Sequence, residues 1–297
     1  MRTEKNILIA FILNLGFGIF EFFGGLFTNR ISIISDSIHD IGDAMGIGIS
    51  LLLEKKSKKR PDNKYTFGYV RYSVIGSLIT IIILIISSIL VIYNAVMRIN
   101  NPVNINYNGM ILFSIVGIIV NYLAVYFTKG GNSLNQKSVN LHMLEDVLGW
   151  IVVLIGAIIM SFTNISIIDP ILSILVALFI LKNAISNLKI ILDLFLEKTP
   201  NNIDIDKIKD SIFEIDGIKD IHHIHIWSLD GYNNYATMHI VTNEDNNKIK
   251  EEIRNKLKKY NIFHITIELE NIDDICSDEK CTINNEILTN KYKHHNH

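Results

Sequence analysis

Six apolar stretches constrain what this chain can fold into more than any other feature. They cover residues 7–28, 33–53, 72–97, 108–128, 134–162 and 168–191. Inside a bilayer the backbone N–H and C=O groups have no water to bond with, so an apolar segment of about 20 residues is typical of a transmembrane helix. The sequence therefore predicts an α-helical membrane protein with six transmembrane helices.

The character of the chain changes near Pro200. Hydrophobic residues make up 49% of the whole sequence, but they are concentrated before Pro200. Beyond it, helical and alternating patterns predict the order helix, strand, strand, helix, strand. These patterns lie at residues 203–215, 218–228, 235–242, 244–260 and 263–269. We therefore predict a transmembrane domain over 1–199, a cytosolic α/β domain over 200–275 with helices on one side of a small sheet, and a Cys/His-containing tail over 276–297.

Charge predicts the orientation and excludes one class of partner. The loop after the second span holds Lys55, Lys56, Lys58, Lys59, Arg60, Lys64 and Arg71. The loops on the other side hold Arg30 and Arg98. The positive-inside rule then places both termini in the cytoplasm of a cell-membrane protein, and a lipid-binding polybasic patch would give the same orientation. A net charge of −2 carries no nucleic-acid signature.

Two spans each carry a histidine and an aspartate four residues apart. The pairs are His39 with Asp43 and His142 with Asp146. Positions i and i+4 share one face of a helix, and ionisable residues at membrane depth are costly and mark functional sites. Two such faces opposed to each other would form a set of two nitrogens and two oxygens, which suits tetrahedral Zn²⁺ or a similar divalent ion.

The depth of the two pairs supports a shared site. At ~1.5 Å per residue, the second-span pair lies roughly 9–15 Å below the outer surface, and the fifth-span pair lies roughly 12–18 Å above the inner one. In a core about 30 Å thick these depths nearly coincide. An alternative, in which each histidine only bonds a neighbouring helix, does not require this match. Asp40 and Glu145 point roughly 100° away from the ligand faces, and the sequence gives no account of them.

Several separated motifs carry a resemblance to a known family. They are NLGF at 14–17 with Glu21 and Gly24–Gly25, SIISD at 32–36, TFGY at 66–69 with Arg71, His142 to Asp146, DPILS at 169–173 and HHIHIW at 222–227. In this order and spacing, from about residue 14 to residue 270, the chain resembles the cation diffusion facilitator family of proton-coupled metal exporters. The resemblance implies a homodimer whose protomers each transport metal through His39, Asp43, His142 and Asp146.

The ligand types narrow the choice of metal without fixing it. Imidazole favours zinc or cobalt over manganese, and we expect Zn²⁺ as the main ion, with Co²⁺, Cd²⁺, Fe²⁺ and nickel left open. Metal binding needs neutral imidazole and ionised carboxylate, so protons and metal compete for the same groups. Histidine ordinarily titrates near pH 6.5, within the range of a proton gradient. These properties predict metal/proton antiport by alternating access.

The resemblance also implies a metal site in the cytosolic domain, which relatives build as a metallochaperone-like, ferredoxin-like fold. Relatives hold regulatory zinc with residues that correspond here to His222, His239, His264 and Glu270. Some relatives add two cysteines, which correspond here to Cys276 and Cys281. Surface histidines and spare thiols are the simpler explanation. Strand alternation predicts Ile221, His223, His225 and Trp227 on one sheet face and His222, Ile224 and Ile226 on the other. Some relatives bind a further metal ion in the loop after the second span, through one Asp and two His. Here Asp62 is present, but Tyr65 and Tyr69 occupy the other two positions, so we expect no metal site in this loop.

Two other classes of function fit the sequence less well. An intramembrane metalloenzyme would need an open coordination position, but all four positions are filled by protein and no HExxH helix is found. A membrane metal sensor would not require ligands at matched depth in two spans. We therefore expect a transporter and no enzyme.

Overall fold

The structure is a computed structural model that describes residues 2–28, 31–100, 107–131, 133–163, 167–243 and 246–272. The described residues divide into two compact units, with the boundary between Leu196 and Glu197. The first unit consists of six long helices. They are α1 (Arg2–Thr28), α2 (Ile31–Ser57), α3 (Arg71–Asn100), α4 (Tyr107–Thr128), α5 (Leu134–Thr163) and α6 (Ile168–Phe195).

Five of these helices, α1, α3, α4, α5 and α6, are long and apolar enough to cross a membrane, counting only described residues. Helix α2 has the same length as α1, but it carries Asp36, Asp40 and Asp43 among its apolar residues. The predicted fold class, a helical transmembrane domain followed by a small cytosolic α/β domain, is confirmed. The helix that least resembles a span is the one that carries the first predicted ligands.

The helices of the first unit pack through two apolar clusters. One joins α1, α2, α4 and α5 and contains Ile7, Ile47 and Met143. The other joins α3 to α6, with Val74, Ile81 and Ile180 among its buried members. Because Met143 follows His142 directly, the first cluster fixes the part of α5 that carries the second ligand pair.

One close helix–helix contact depends on a glycine. A Cβ added at Gly117 on α4 would lie 2.7 Å from the Trp150 ring on α5. The same indole packs edge-on against Phe17 of α1, with ring centroids 5.4 Å apart. Glycine therefore lets α4 approach α5 at the level of this aromatic contact.

The second unit has the predicted order of elements. Its parts are α7 (Ile205–Phe213), β1 (Ile218–Ser228), β2 (Asn234–Thr242), α8 (Asn246–Leu257), a 3₁₀ turn (Lys258–Tyr260) and β3 (Ile262–Glu270). The sheet order is β1-β2-β3, with β1 antiparallel and β3 parallel to β2. Buried residues of both helices share one core with Met238 and Ile240 of β2, so both helices cover the same sheet face.

The predicted alternation in β1 is wrong. His222 pairs with His239 and His225 pairs with Thr237, so β1 has one residue more than β2 in this interval. His223 adopts a left-handed backbone with φ of 49°, which is typical of a β-bulge. As a result Ile221 and Ile226 are both buried in the core, whereas the prediction had placed them on opposite faces. We call the sheet face opposite the helices the ligand face.

Candidate metal centres

Helices α2 and α5 bring three of the four predicted intramembrane ligands together. Ligand atoms of Asp43, His142 and Asp146 all lie within 4.8 Å of one another. The His142 Nε2 atom is 3.8 Å from Asp43 Oδ2, and both side chains are buried. Two ligands of one tetrahedral Zn²⁺ at 2.0–2.2 Å are separated by about 3.4 Å, so this spacing is close to that of a metal-bound pair.

The fourth predicted ligand, His39, lies at the edge of this group. Its Nε2 atom is 3.4 Å from Asp43 Oδ2, the i,i+4 contact expected on one helix face. Its side chain is 52% exposed, against 2% for His142. The group of mutually close ligand atoms does not include His39 among the described residues. The group therefore has one buried imidazole, two carboxylates and an accessible imidazole beside them.

Helix α1 contributes a polar contact to the group. Asn14 is buried, and its amide donates to Asp146 Oδ2 at 3.3 Å. A contact of this kind from a neighbouring helix can orient the Asp146 carboxylate. Glu21, further along the same helix, is also buried. A carboxylate that accepts such a bond keeps its second oxygen for a cation.

Sequence reasoning missed a buried polar network at the other end of α2. The Glu54 carboxylate accepts hydrogen bonds from Ser73 of α3 at 2.6 Å and from Asn135 of α5 at 3.3 Å. Asn135 also exchanges bonds with Ser50 of α2. Glu54 directly precedes the basic run, and no local signal in the sequence predicts its burial.

The ligand face of the cytosolic sheet holds a second group. Ligand atoms of His222, His239 and Glu270 lie within 4.8 Å of one another. His239 Nδ1 is 2.6 Å from Glu270 Oε1, and His222 Nε2 is 3.2 Å from Glu270 Oε2. Glu268 lies 3.2 Å from His239 Nε2. Cross-strand pairing of His222 with His239 and of His239 with Glu268 produces this cluster.

The other predicted cytosolic ligands lie elsewhere. His264 pairs with Tyr235 across the strands, and the centroids of the two rings lie 5.5 Å apart. It is six residues before Glu270 on β3, which corresponds to about 20 Å along a strand. Cys276, Cys281 and the rest of the 276–297 tail lie outside the described residues. The structure therefore brings together three of the predicted cytosolic residues and leaves His264 apart.

The loop after α2 is held by hydrogen bonds to Asp62. Its carboxylate accepts from Tyr69 at 2.7 Å and from Lys59 at 2.9 Å, and its other oxygen accepts two backbone N–H groups. These bonds, that from Tyr69 first, hold the pKa of Asp62 well below its ordinary value. The rings of Tyr65 and Tyr69 lie 4.4 Å apart, so the two tyrosines pack together beside Asp62.

Comparison with known proteins gives matches along nearly the whole chain. Residues 7–196 match the cation efflux transmembrane domain, and residues 200–272 match the cytoplasmic domain of cation efflux proteins. The chain is 33% identical over 277 residues to a cadmium, cobalt and zinc/H(+)-K(+) antiporter of Bacillus velezensis, covering 90% of this chain and 88% of that protein.

Two further relatives show similar coverage. The zinc transporter ZitB of Pectobacterium atrosepticum is 30% identical over 291 residues, which cover 96% of this chain and 90% of that protein. The metal cation efflux system protein CzcD of Cupriavidus metallidurans is 31% identical over 274 residues, covering 90% and 87%. The two family matches, over 7–196 and 200–272, include both ligand groups.

Proposed function

The chain belongs to the cation efflux family, whose members are transporters and not enzymes, and from this premise we propose that it exports Zn²⁺ from the cytoplasm in exchange for protons. Its intramembrane site consists of His39, Asp43, His142 and Asp146. Co²⁺ and Cd²⁺ are further substrates of the same site, since a relative is named for all three metals. Fe²⁺ and Ni²⁺ have compatible ligand preferences.

The observation that carries the proposal is the convergence of Asp43, His142 and Asp146 inside the helical unit. Buried carboxylates and imidazoles are costly unless they are paired or bind a cation. His142 Nε2 has no hydrogen-bond partner among the described residues although it is buried. A divalent cation at this point would neutralise two carboxylates and bind that nitrogen.

Exchange with protons follows from the chemistry of these ligands. The cation binds neutral imidazole and ionised carboxylate, so each protonation event competes with metal. Opening the site to a more acidic outer side would then favour metal release, and opening it to the cytoplasm would favour metal uptake. His39, which the other helices leave uncovered beside the buried Asp43, supplies a ligand at the edge of the group for this exchange.

The orientation and assembly belong to the same proposal. The basic loop at 55–71 places both termini in the cytoplasm, and an impermeant thiol reagent applied to intact cells should then leave Cys276 and Cys281 unlabelled. The C-terminal unit matches the domain through which cation efflux proteins dimerise, so we infer a homodimer in the bilayer. A monomer mass in light scattering of the purified chain would contradict the dimer.

Zinc flux into proteoliposomes under an imposed pH gradient tests the transport proposal. Asp43→Ala and Asp146→Ala should abolish gradient-driven zinc movement, because each leaves the cation one ligand short. Asp210→Ala removes an exposed carboxylate from α7 and serves as the matched control. Full flux in both site variants would refute the site, whereas flux that ignores the gradient would refute proton exchange alone.

The cytosolic group fits a second metal ion. His222 Nε2 and Glu270 Oε2 are buried without a hydrogen bond, although the two atoms are 3.2 Å apart. These two atoms face each other next to the His239 ring, so the three side chains can act together as ligands to zinc. We propose that His222, His239 and Glu270 hold a regulatory Zn²⁺, with Cys276 and Cys281 of the tail as additional ligands.

A further inference from the structure

Glu145 precedes the ligand Asp146 on α5 and is an acidic residue for which the sequence offers no role. Its side chain is 14% exposed. One oxygen, Oε1, accepts a hydrogen bond from Ser88 of α3 at 3.1 Å. The other oxygen, Oε2, is buried without a hydrogen bond. A buried carboxylate oxygen in this state is costly unless it meets a donor.

The nearest counterpart of that oxygen is the second ring nitrogen of His142. Glu145 Oε2 lies 4.0 Å from His142 Nδ1, and Nδ1 is also buried without a hydrogen bond. A hydrogen bond of about 2.9 Å would form after a side-chain shift of about 1 Å. The two atoms that lack a hydrogen bond therefore face each other across a small gap.

The two nitrogens of His142 face different partners. Nε2 lies 3.8 Å from Asp43 Oδ2, within the ligand group. Nδ1 lies on the side of Glu145. Glu145 is consequently behind the imidazole as seen from the ligand group, which excludes it as a ligand to a cation bound by Nε2.

The bond to Ser88 does not explain why an acidic residue is present at this position. The Ser88 hydroxyl lies 2.8 Å from the Leu84 carbonyl on its own helix, so it has an acceptor without Glu145. Contact with Ser88 instead fixes one carboxylate oxygen and leaves the other directed at His142.

We propose that Glu145 is a positioning residue, which accepts the Nδ1–H of His142 and so fixes the tautomer whose Nε2 lone pair faces the transported cation. The inference rests on the proposed function, because it assigns a support to a ligand of that site. Carboxylates that accept from the free nitrogen of a metal-binding histidine orient the ring and raise its basicity, and losing them costs 10- to 100-fold in metal affinity.

Zinc binding to the full chain in lipid bilayers tests the proposal. A His239→Ala background weakens the cytosolic site, so that the intramembrane site dominates the titration. In this background Glu145→Leu should weaken zinc binding by about 10- to 100-fold. Glu145→Gln keeps an acceptor oxygen and the side-chain length, so it should retain most of the affinity.

Nitrogen-15 spectra of histidine-labelled protein provide a readout that a purely structural role would not change. The His142 signals, identified by their loss in His142→Ala, should show a protonated Nδ1 in the parent and in Glu145→Gln. In Glu145→Leu they should show both tautomers. If Glu145→Leu does not fold, the spectra of the parent and the Gln variant still decide, since a protonated Nε2 in the parent overturns the proposal.

Two binding results distinguish failure of this inference from failure of the proposed function. If His142→Ala weakens zinc binding but Glu145→Leu leaves it unchanged, the positioning role is refuted and the site stands. If His142→Ala binds zinc as tightly as its parent, the proposed site itself is refuted, and the role of Glu145 is refuted with it.

Discussion

Replacing Asn14 by alanine should weaken zinc binding while leaving the fold intact. Asn14 is 3% exposed and lies on α1, whereas the carboxylate it contacts is on α5. Asn14 is not among the predicted ligands, and its amide nitrogen donates to Asp146 Oδ2. The substitution therefore removes an orienting contact and no ligand.

The distance sets the expected size of the effect. The Asn14 Nδ2 to Asp146 Oδ2 distance is 3.3 Å, longer than the usual 2.9–3.0 Å of an N–H···O bond. Hydrogen bonds to charged groups contribute about 1.5–3 kcal/mol, and the long distance favours the lower end. About 1.5 kcal/mol corresponds to a roughly tenfold loss of zinc affinity.

Isothermal titration of the purified chain with zinc, in the His239→Ala background, measures this loss. Asn121→Ala is the matched control, because Asn121 is 2% exposed and donates only within its own helix, to the Gly117 carbonyl at 3.1 Å. We expect weaker zinc binding for Asn14→Ala alone. Equal losses in both variants would point to a general packing effect, and unchanged binding in Asn14→Ala would refute the orienting role.

Three further predictions concern the cytosolic site, the helix packing and the loop. His239→Ala should remove zinc binding by the cytosolic unit, whereas His264→Ala should retain it; equal losses would show that the two histidines share a site. Gly117→Ala should destabilise the helical unit by about 1–3 kcal/mol through overpacking against the indole, and an unchanged melting temperature would contradict this contact. Tyr69→Phe should raise the pKa of Asp62 toward its ordinary value, as measured in a ¹³C titration. Because the pKa of Asp62 is lowered in the folded loop, the carboxylate stabilises the loop above about pH 4. This stabilisation is lost as the pH falls through the lowered pKa.

Helix positions were largely predictable from sequence because lipid leaves few alternatives for a long apolar segment. The start of α5 at Leu134 and the end of α4 at Thr128 agree with the prediction. Contacts between helices were not predictable in the same way. Glu54 has an ordinary surface context in the sequence, and only the approach of α3 and α5 buries it.

The ligand groups were predictable to different degrees. The contact between His39 and Asp43, which are four residues apart on α2, follows from helix geometry alone. The role inferred for Glu145 needs the position of Ser88 on another helix and the direction in which the His142 ring faces, and neither is encoded locally. In the cytosolic sheet, the predicted alternation of side chains between the two faces was wrong at His223, because strict alternation does not allow for an extra residue in one strand.

The bulge at His223 has a consequence for how β1 tolerates changes in length. Ile221 and Ile226 pair with Ile240 and Ala236, so five steps along β1 run beside four steps along β2. Removing the extra residue would match the two strands and keep both isoleucines on the core face, because four steps along a regular strand return to the same face. Removing a residue from a regular part of β1 would instead turn every side chain on one side of the deletion to the opposite face. We therefore expect this domain to tolerate a deletion at His223 better than a deletion elsewhere in the strand.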